Sequence, residues 1–265
     1  MPANYARFLL GRRRSHAANR QLGLALAFVA GAINAGGFLA VQQYTSHVTG
    51  LVSSVADQTV LGHFDLVVDG VAAVLAFLLG AVCCALLVNL ARRRQLRSEY
   101  ALPLLLEAGL ILLFGLLGSR LARFEALLVP ATVVLLCFIM GLQNAVVTKL
   151  SAREIRTTHM TGIVTDLGIE IGKALYWNRA DPEHHSPVRA DRTRIATLGG
   201  LLAAFVVGGL LGAWGFKRFG YGSTVPLALL LAALAAVPTL DDLLRRPRPV
   251  NGKRAAPTPG PAGPG

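Results

Sequence analysis

Residues 127–147 read LLVPATVVLLCFIMGLQNAVV. The run carries no charge and is long enough to cross a bilayer as a helix, for which about 18 apolar residues suffice. It closes on Gly141-Leu-Gln-Asn144-Ala145, and TTHMTG follows at 157–162. An earlier run, Leu22 to Val41, contains Gly31-Ala-Ile-Asn34-Ala35 and is followed by TSHVTG at 45–50. An apolar run, a GxxNA segment and a polar hexapeptide therefore occur twice, in the same order.

The rest of the chain is of the same kind. Of its 265 residues, 54% are hydrophobic and 15% charged, against roughly 25% charged in a soluble domain. Further apolar runs cover about Val67–Ala91, Ala101–Gly118, Ile195–Phe216 and Gly222–Leu240. With the run that opens at Leu22 and the one over Ala126–Thr148, this predicts an all-α membrane protein of about six spans. Two half-apolar stretches, Leu51–Leu61 and Ile163–Leu175, are too short and too polar to cross alone. Arg12–Arg14 before an apolar core offers a cleaved signal peptide as the alternative for the first run. The run's length, the lack of a cleavage site and the spans that follow argue against that reading.

The net charge of +12 points to lipid head groups and orientation, not to nucleic acid. Alternating six spans from an inside N-terminus puts 22 of the 26 Lys and Arg residues inside. The stretch Asp57–Asp69, placed outside, has three acids and no Lys or Arg. This is the positive-inside bias. Cys83, Cys84 and Cys137 sit within apolar runs and form no metal or disulfide pattern. The expected organisation is a basic segment over 1–19, a membrane domain over 20–240 and a Pro/Gly-rich disordered tail over 241–265. Both ends are expected in the cytoplasm.

The two GxxNA segments are 110 residues apart and the two hexapeptides 112 apart. After them Gly50-Leu-Val-Ser-Ser parallels Gly162-Ile-Val-Thr-Asp, and the last run of each half starts near a proline, Pro103 and Pro226. These matches predict two units, about 20–118 and 126–240. Three spans per unit is an odd number, so the second unit enters from the opposite side. Inverted repeats of this kind are typical of secondary transporters, whose sites form at broken helices.

The GxxxA helix, the [ST]-H-[VM]-T-G turn and MGLQNA with its following TTHMTG resemble the YoaK-like bacterial membrane proteins, a six-span family of unknown function. The resemblance covers about residues 20–240. It implies a location in the bacterial plasma (inner) membrane and supplies no activity. This chain has Asn34 where that family usually has Asp, and Leu51 where it usually has Asn.

Irregular backbone at membrane depth is tolerated where it is buried in protein or lines a wet cavity. The turn residues Ser46, His47, Thr49, Gly50, Thr158, His159, Thr161 and Gly162, with Asn34 and Asn144 behind them, are the candidate solute-binding set. Thr49 and Thr161 are placed to cap the short helices that follow, whose N-termini suit an anion. The plainer reading is that the turns are capped breaks that let helices pack. His47 and His159 are candidate proton carriers, or hydrogen-bonding residues within the turns. No metal site is expected from two ligands.

Glu107 lies mid-span, where an acid costs about 2.5–3.5 kcal/mol and tends to mark an ion path. It is the candidate coupling residue, against a neutral Glu bonded to a neighbouring helix. Counting from the two prolines pairs it with Leu230. Asp166 and Glu170 are one turn apart and expected to pair with Arg156 or Lys173 or to face water. Gly208 and Gly212 form GxxxG, expected to pack within the fold first and otherwise between copies of the chain.

There is no P-loop, GxSxG, HExxH or spaced Cys/His set. The expectation is a small secondary transporter or permease for an unidentified small solute, an anion being the one the turns suggest, with no cofactor and no enzymatic activity. Its partners are the bilayer and that solute. The alternatives are a non-transporting membrane partner or scaffold, and a membrane enzyme acting on lipid or quinone.

Overall fold

The structure, a computed structural model, describes residues 16–96, 98–150, 160–176 and 188–243. Among these residues there is helix and turn and no strand. The helices are α1 (His16–Val41), α2 (Val48–Leu61), α3 (Phe64–Arg93), α4 (Ala101–Gly118), α5 (Glu125–Leu150), α6 (Met160–Leu175), α7 (Arg192–Phe219) and α8 (Thr224–Leu243). Residues 1–15, 97, 151–159, 177–187 and 244–265 lie outside the described residues, and with them the first half of the second hexapeptide and most of the long polar connector between α6 and α7.

Five helical stretches are long and apolar enough to cross a membrane: Ala17–Val41, Phe64–Arg93, Ala101–Gly118, Leu128–Lys149 and Arg192–Ala236. The fifth runs through a 3-10 turn at Gly220–Ser223 and takes in α7 and much of α8. The short helices α2 and α6 are not among them. Large apolar side chains such as Leu78, Leu79 and Leu86 on α3 and Val206, Leu210 and Leu211 on α7 point out of the bundle. An apolar outer face fits hydrocarbon as the solvent, where burial is not driven by water and helices associate through packing.

That packing is pairwise. α1 lies along α7, α3 along α5 and α4 along α8, and α1 meets α5 at the centre. α2 rests on α3, and α6 on α7. Four Phe-x-x-Gly segments make the two longest crossings: Phe28/Gly31 on α1, Phe77/Gly80 on α3, Phe138/Gly141 on α5 and Phe205/Gly208 on α7. A Cβ on Gly31 would fall on the carbonyl of Phe205, and one on Gly208 on the carbonyl of Phe28. In the other pair, Gly141 meets the carbonyl of Phe77 and Gly80 that of Phe138. Backbone meets backbone at each crossing, so only glycine fits. The GxxxG pair also serves this packing, since Gly212 lies against Ala32 of α1.

The contacts also give directions. Gly23 meets Leu201 and Gly36 meets Phe216, so α1 and α7 run parallel. Gly37 meets Leu136, and the Gln143 amide donates to the Leu26 carbonyl at 3.2 Å, so α1 and α5 run antiparallel. Gly115 meets Thr224 and Gly118 meets Tyr221, so α4 and α8 run antiparallel.

Burial follows the 110-residue spacing. From Leu22 to Gly37 the buried and half-buried positions recur from Thr132 to Val147, except that Leu24 is half-buried and Val134 exposed. The proline count is corrected by this register. Glu107 is fully buried, while Leu230 is 38% exposed and Leu231 is fully buried. Leu231 is therefore the better structural counterpart of Glu107, one residue later than the prolines indicate.

Gly31→Ala or Gly141→Ala is expected to cost about 1–3 kcal/mol through overpacking and to lower the melting midpoint in detergent by about 2–10 °C. Gly109→Ala, whose Cβ would meet nothing within 4 Å, is expected to leave the midpoint unchanged or raise it slightly. A thermal scan of the three variants against the parent checks both.

Candidate functional site

The first polar turn is built on α1. The helix ends as Gln42 takes a left-handed conformation (φ 54°) and donates its N–H to the Phe38 carbonyl at 2.8 Å. Tyr44 then folds back to stack on Phe38, with ring centroids 4.7 Å apart. Thr45 is buried, and the Ser46 hydroxyl donates to Asn34 Oδ1 at 2.7 Å. This bond ties the turn to the helix it follows. Asn34 thus acts within its own unit, and the amide that joins α1 to α5 is Gln143.

α2 starts at Val48, with His47 as its N-cap residue and no side-chain capping bond. The capping role expected of Thr49 is therefore not the one observed. The chain becomes helical two residues earlier, which leaves Thr49 exposed in the first turn. The His47 ring lies over Gly50, whose Cβ would come 2.5 Å from Nδ1. His47 is exposed.

In the second unit, Thr158 and His159 lie outside the described residues. α6 starts at Met160, ahead of Thr161 and Gly162, so Thr161 is likewise within the helix and not its cap. Thr161 is exposed and Gly162 half-buried. Asn144 Oδ1 is buried and has no hydrogen-bond partner among the described residues. Because α1 and α5 run antiparallel, their C-terminal ends lie at opposite ends of the bundle. The structure does not bring His47 and Thr49 into a shared interior with Thr161.

Glu107 is at the centre. It is fully buried on α4, and neither carboxyl oxygen has a hydrogen-bond partner among the described residues. The neighbouring-helix hydrogen bond considered for it is absent there. Its helix neighbours Leu104, Ala108 and Ile111 belong to the main apolar cluster, and Cys84 of that cluster lies within its electrostatic range. A carboxyl group without a donor or counter-charge in such a place is costly. Proton or cation binding would relieve that cost. Among the described residues no three His, Cys, Asp or Glu side chains gather as metal ligands.

A second polar assembly joins α6 to α7. Glu170 is buried and pairs with Lys173 at 2.8 Å, as the sequence suggested. Arg194, which sequence reasoning missed, reaches Asp166 at 3.0 Å and Glu170 at 3.7 Å. The Asp191 N–H donates to Glu170 Oε2 at 3.0 Å, and Asp191 caps α7 through the N–H groups of Thr193 and Arg194. In the first unit the bond in the matching place is between Gln58 Oε1 and His63 Nδ1 at 2.7 Å. The residues stand in the same spacing, since Gln58 and Glu170 are 112 apart; that offset is the signal by which the contact was findable.

Sequence reasoning also gave no hint of a cavity of about 500 Å³ between α1, α7 and α8. Phe28, Ala32, Gly212, Phe216, Pro226 and Leu227 line it, and Trp214, Phe219 and Leu230 stand at its exposed edge. Ser223, also in its wall, has a buried hydroxyl with no partner among the described residues.

The hydrogen bond from Lys173, followed by that from the Asp191 N–H, holds the Glu170 carboxyl below the ordinary range. A lowered folded-state pKa stabilises above the unfolded value, about 4.3 for Glu. That contribution is lost as the pH falls through the folded value. Hydrogen-exchange protection at the start of α7 is expected to hold from pH 7 to about 5 and to drop below about 4. Glu170→Gln should show weaker protection at pH 7 and a smaller acid drop.

No curated protein and no solved structure matches the chain. The model of the family described as "Protein of unknown function (DUF1275)" matches residues 22–237, in keeping with the YoaK-like resemblance, and the chain belongs to that family.

Proposed function

We propose that the chain is a small secondary permease. Its membrane domain is two three-span units, about 20–118 and 126–240, inserted in opposite senses in a bacterial plasma membrane with both termini inside. The observation that carries this reading is the exchange of partners between the units. The first long helix of each unit lies against the second long helix of the other, α1 on α7 and α5 on α3, through equivalent Phe-x-x-Gly crossings. The equivalent helices α1 and α5 run antiparallel, which is what inversion of one unit relative to the other requires.

Secondary transporters of this design bind near the plane where the units meet. Glu107 is a fully buried carboxyl group, with a buried leucine, Leu231, in the equivalent place of the second unit. Its role here is to couple solute movement to a proton or cation. The turns at 45–50 and 157–162 are the two ends of the path, and the Asn34–Ser46 bond holds the first of them to α1. The solute is small, and an anionic one suits the helix starts at the turns.

Two experiments test this. Ser46→Cys and Thr158→Cys are expected to react with an impermeant thiol reagent from opposite faces of the membrane; labelling from one face alone would overturn the inversion. Metabolite uptake is then compared in a null strain, the same strain carrying the parent chain, and one carrying Glu107→Gln at equal expression. The parent is expected to accumulate a solute that the null strain does not. Glu107→Gln is expected to lose accumulation against a gradient while keeping downhill exchange. Identical profiles in all three strains would end the permease reading.

A further inference from the structure

α8 packs along α4 and has no comparable packing along α1. Several residues that face the space so left are small: Ala32 of α1, Gly212 and Gly215 of α7, and Gly222 in the turn before α8. The cavity of about 500 Å³ results, a size within the range of about 300–1,000 Å³ usual for ligand pockets. Its lining is apolar apart from the Trp214 indole and the Ser223 hydroxyl.

The mouth opens on the outer face of the bundle. Trp214, Phe219 and Leu230 stand there exposed, on a surface that α7 continues with the exposed Val207, Leu210 and Leu211. Trp214 and Phe219 meet edge to face, with ring centroids 5.7 Å apart. An apolar cavity stays dry and takes up apolar ligands. Left unfilled, it forfeits dispersion contacts along its walls. In a bilayer the medium at this mouth is hydrocarbon chain.

Length and charge narrow the occupant. From Leu211 to Phe219 the α7 wall rises about 12 Å, close to the depth of one leaflet, half of the roughly 30 Å hydrocarbon core. The last turn of α7 carries Lys217 and Arg218, both exposed. They stand three and four residues after Trp214, so they lie one turn beyond it at the end of the cavity. Neither has an ion-pair partner among the described residues. α1 holds no acidic residue, and none occurs between Asp191 and Asp241, so the walls offer these cations no counter-charge.

We propose that the α1–α7–α8 cavity holds one acyl chain of an anionic phospholipid, with its head group at Lys217 and Arg218. The chain fills the space that the small side chains leave, and the two cations select the charge of the lipid. The site needs neither transport nor inversion of the units.

Trp214 supplies the reporter. The chain has two tryptophans, and Trp177→Phe leaves Trp214 alone. The full chain is placed in phosphatidylcholine vesicles containing a growing fraction of either phosphatidylglycerol or phosphatidylcholine, each brominated in its acyl chains, and quenching of Trp214 is read. Phosphatidylglycerol is expected to reach half-maximal quenching at a mole fraction about five- to thirtyfold lower, the worth of one or two cations at a membrane surface. Lys217→Gln with Arg218→Gln is expected to bring the two curves together. Leu230→Phe, which fills the mouth, is expected to do the same with both cations in place. Gly222→Leu carries that arm if Leu230→Phe does not fold, since a Cβ there would meet nothing within 4 Å. Equal curves in the parent, or a difference that survives loss of both cations, would overturn the proposal. So would a difference that survives both cavity substitutions, which would belong to lipid gathered around the helix end. Each result stands whatever the uptake comparison gives.

Discussion

The fold depends on backbone touching backbone at two helix crossings. In hydrocarbon there is no hydrophobic force to press α1 on α7 or α3 on α5, because lipid tails are as apolar as the helix faces. What remains is dispersion, which falls away within a fraction of an ångström of lost contact. Gly31, Gly80, Gly141 and Gly208 remove the side chains that would hold these helices apart. Each phenylalanine stands one turn before its glycine, and its carbonyl is the surface that the opposing glycine meets.

From that constraint the rest follows in order. Once the first and second long helices of each unit are committed across the unit boundary, the third helices, α4 and α8, are left to pair with each other. They are held less tightly to the core of the other unit, and they differ in how they lean on it. α4 is closed against α5, and α8 stands off α1 beside a cavity. The short helices are clipped to the starts of α3 and α7, by the Gln58–His63 bond in the one case and by the Glu170 set with Asp191 and Arg194 in the other.

Glu107 concentrates the functional question. A buried carboxyl group with no donor among the described residues gives nothing to stability. A leucine stands in the equivalent place of α8 and packs without that cost. The proposed role of this group is to bind a proton or cation, which would relieve that cost. Asn34 and Ser46 close one turn locally, and His47 and Thr49 lie at the surface.

The sequence by itself determined the helical class, the limits of most helices and a 110-residue spacing that burial follows. Hydrophobic run length and the offset between GxxNA segments are local signals, and they survive without knowledge of the fold. Ala101–Gly118 is the same helix in both readings, and α1 ends at Val41 as its apolar run does. The mid-span position of Glu107 was legible for the same reason. Three things were decided by tertiary structure alone. Which helices pair is one, because every apolar face looks alike until the Phe-x-x-Gly surfaces meet. Arg194 as the partner of Asp166 is another, since the contact spans 28 residues and depends on how α6 lies on α7. The last is the difference between α4 and α8, because two units with the same pattern carry no mark of which one is closed.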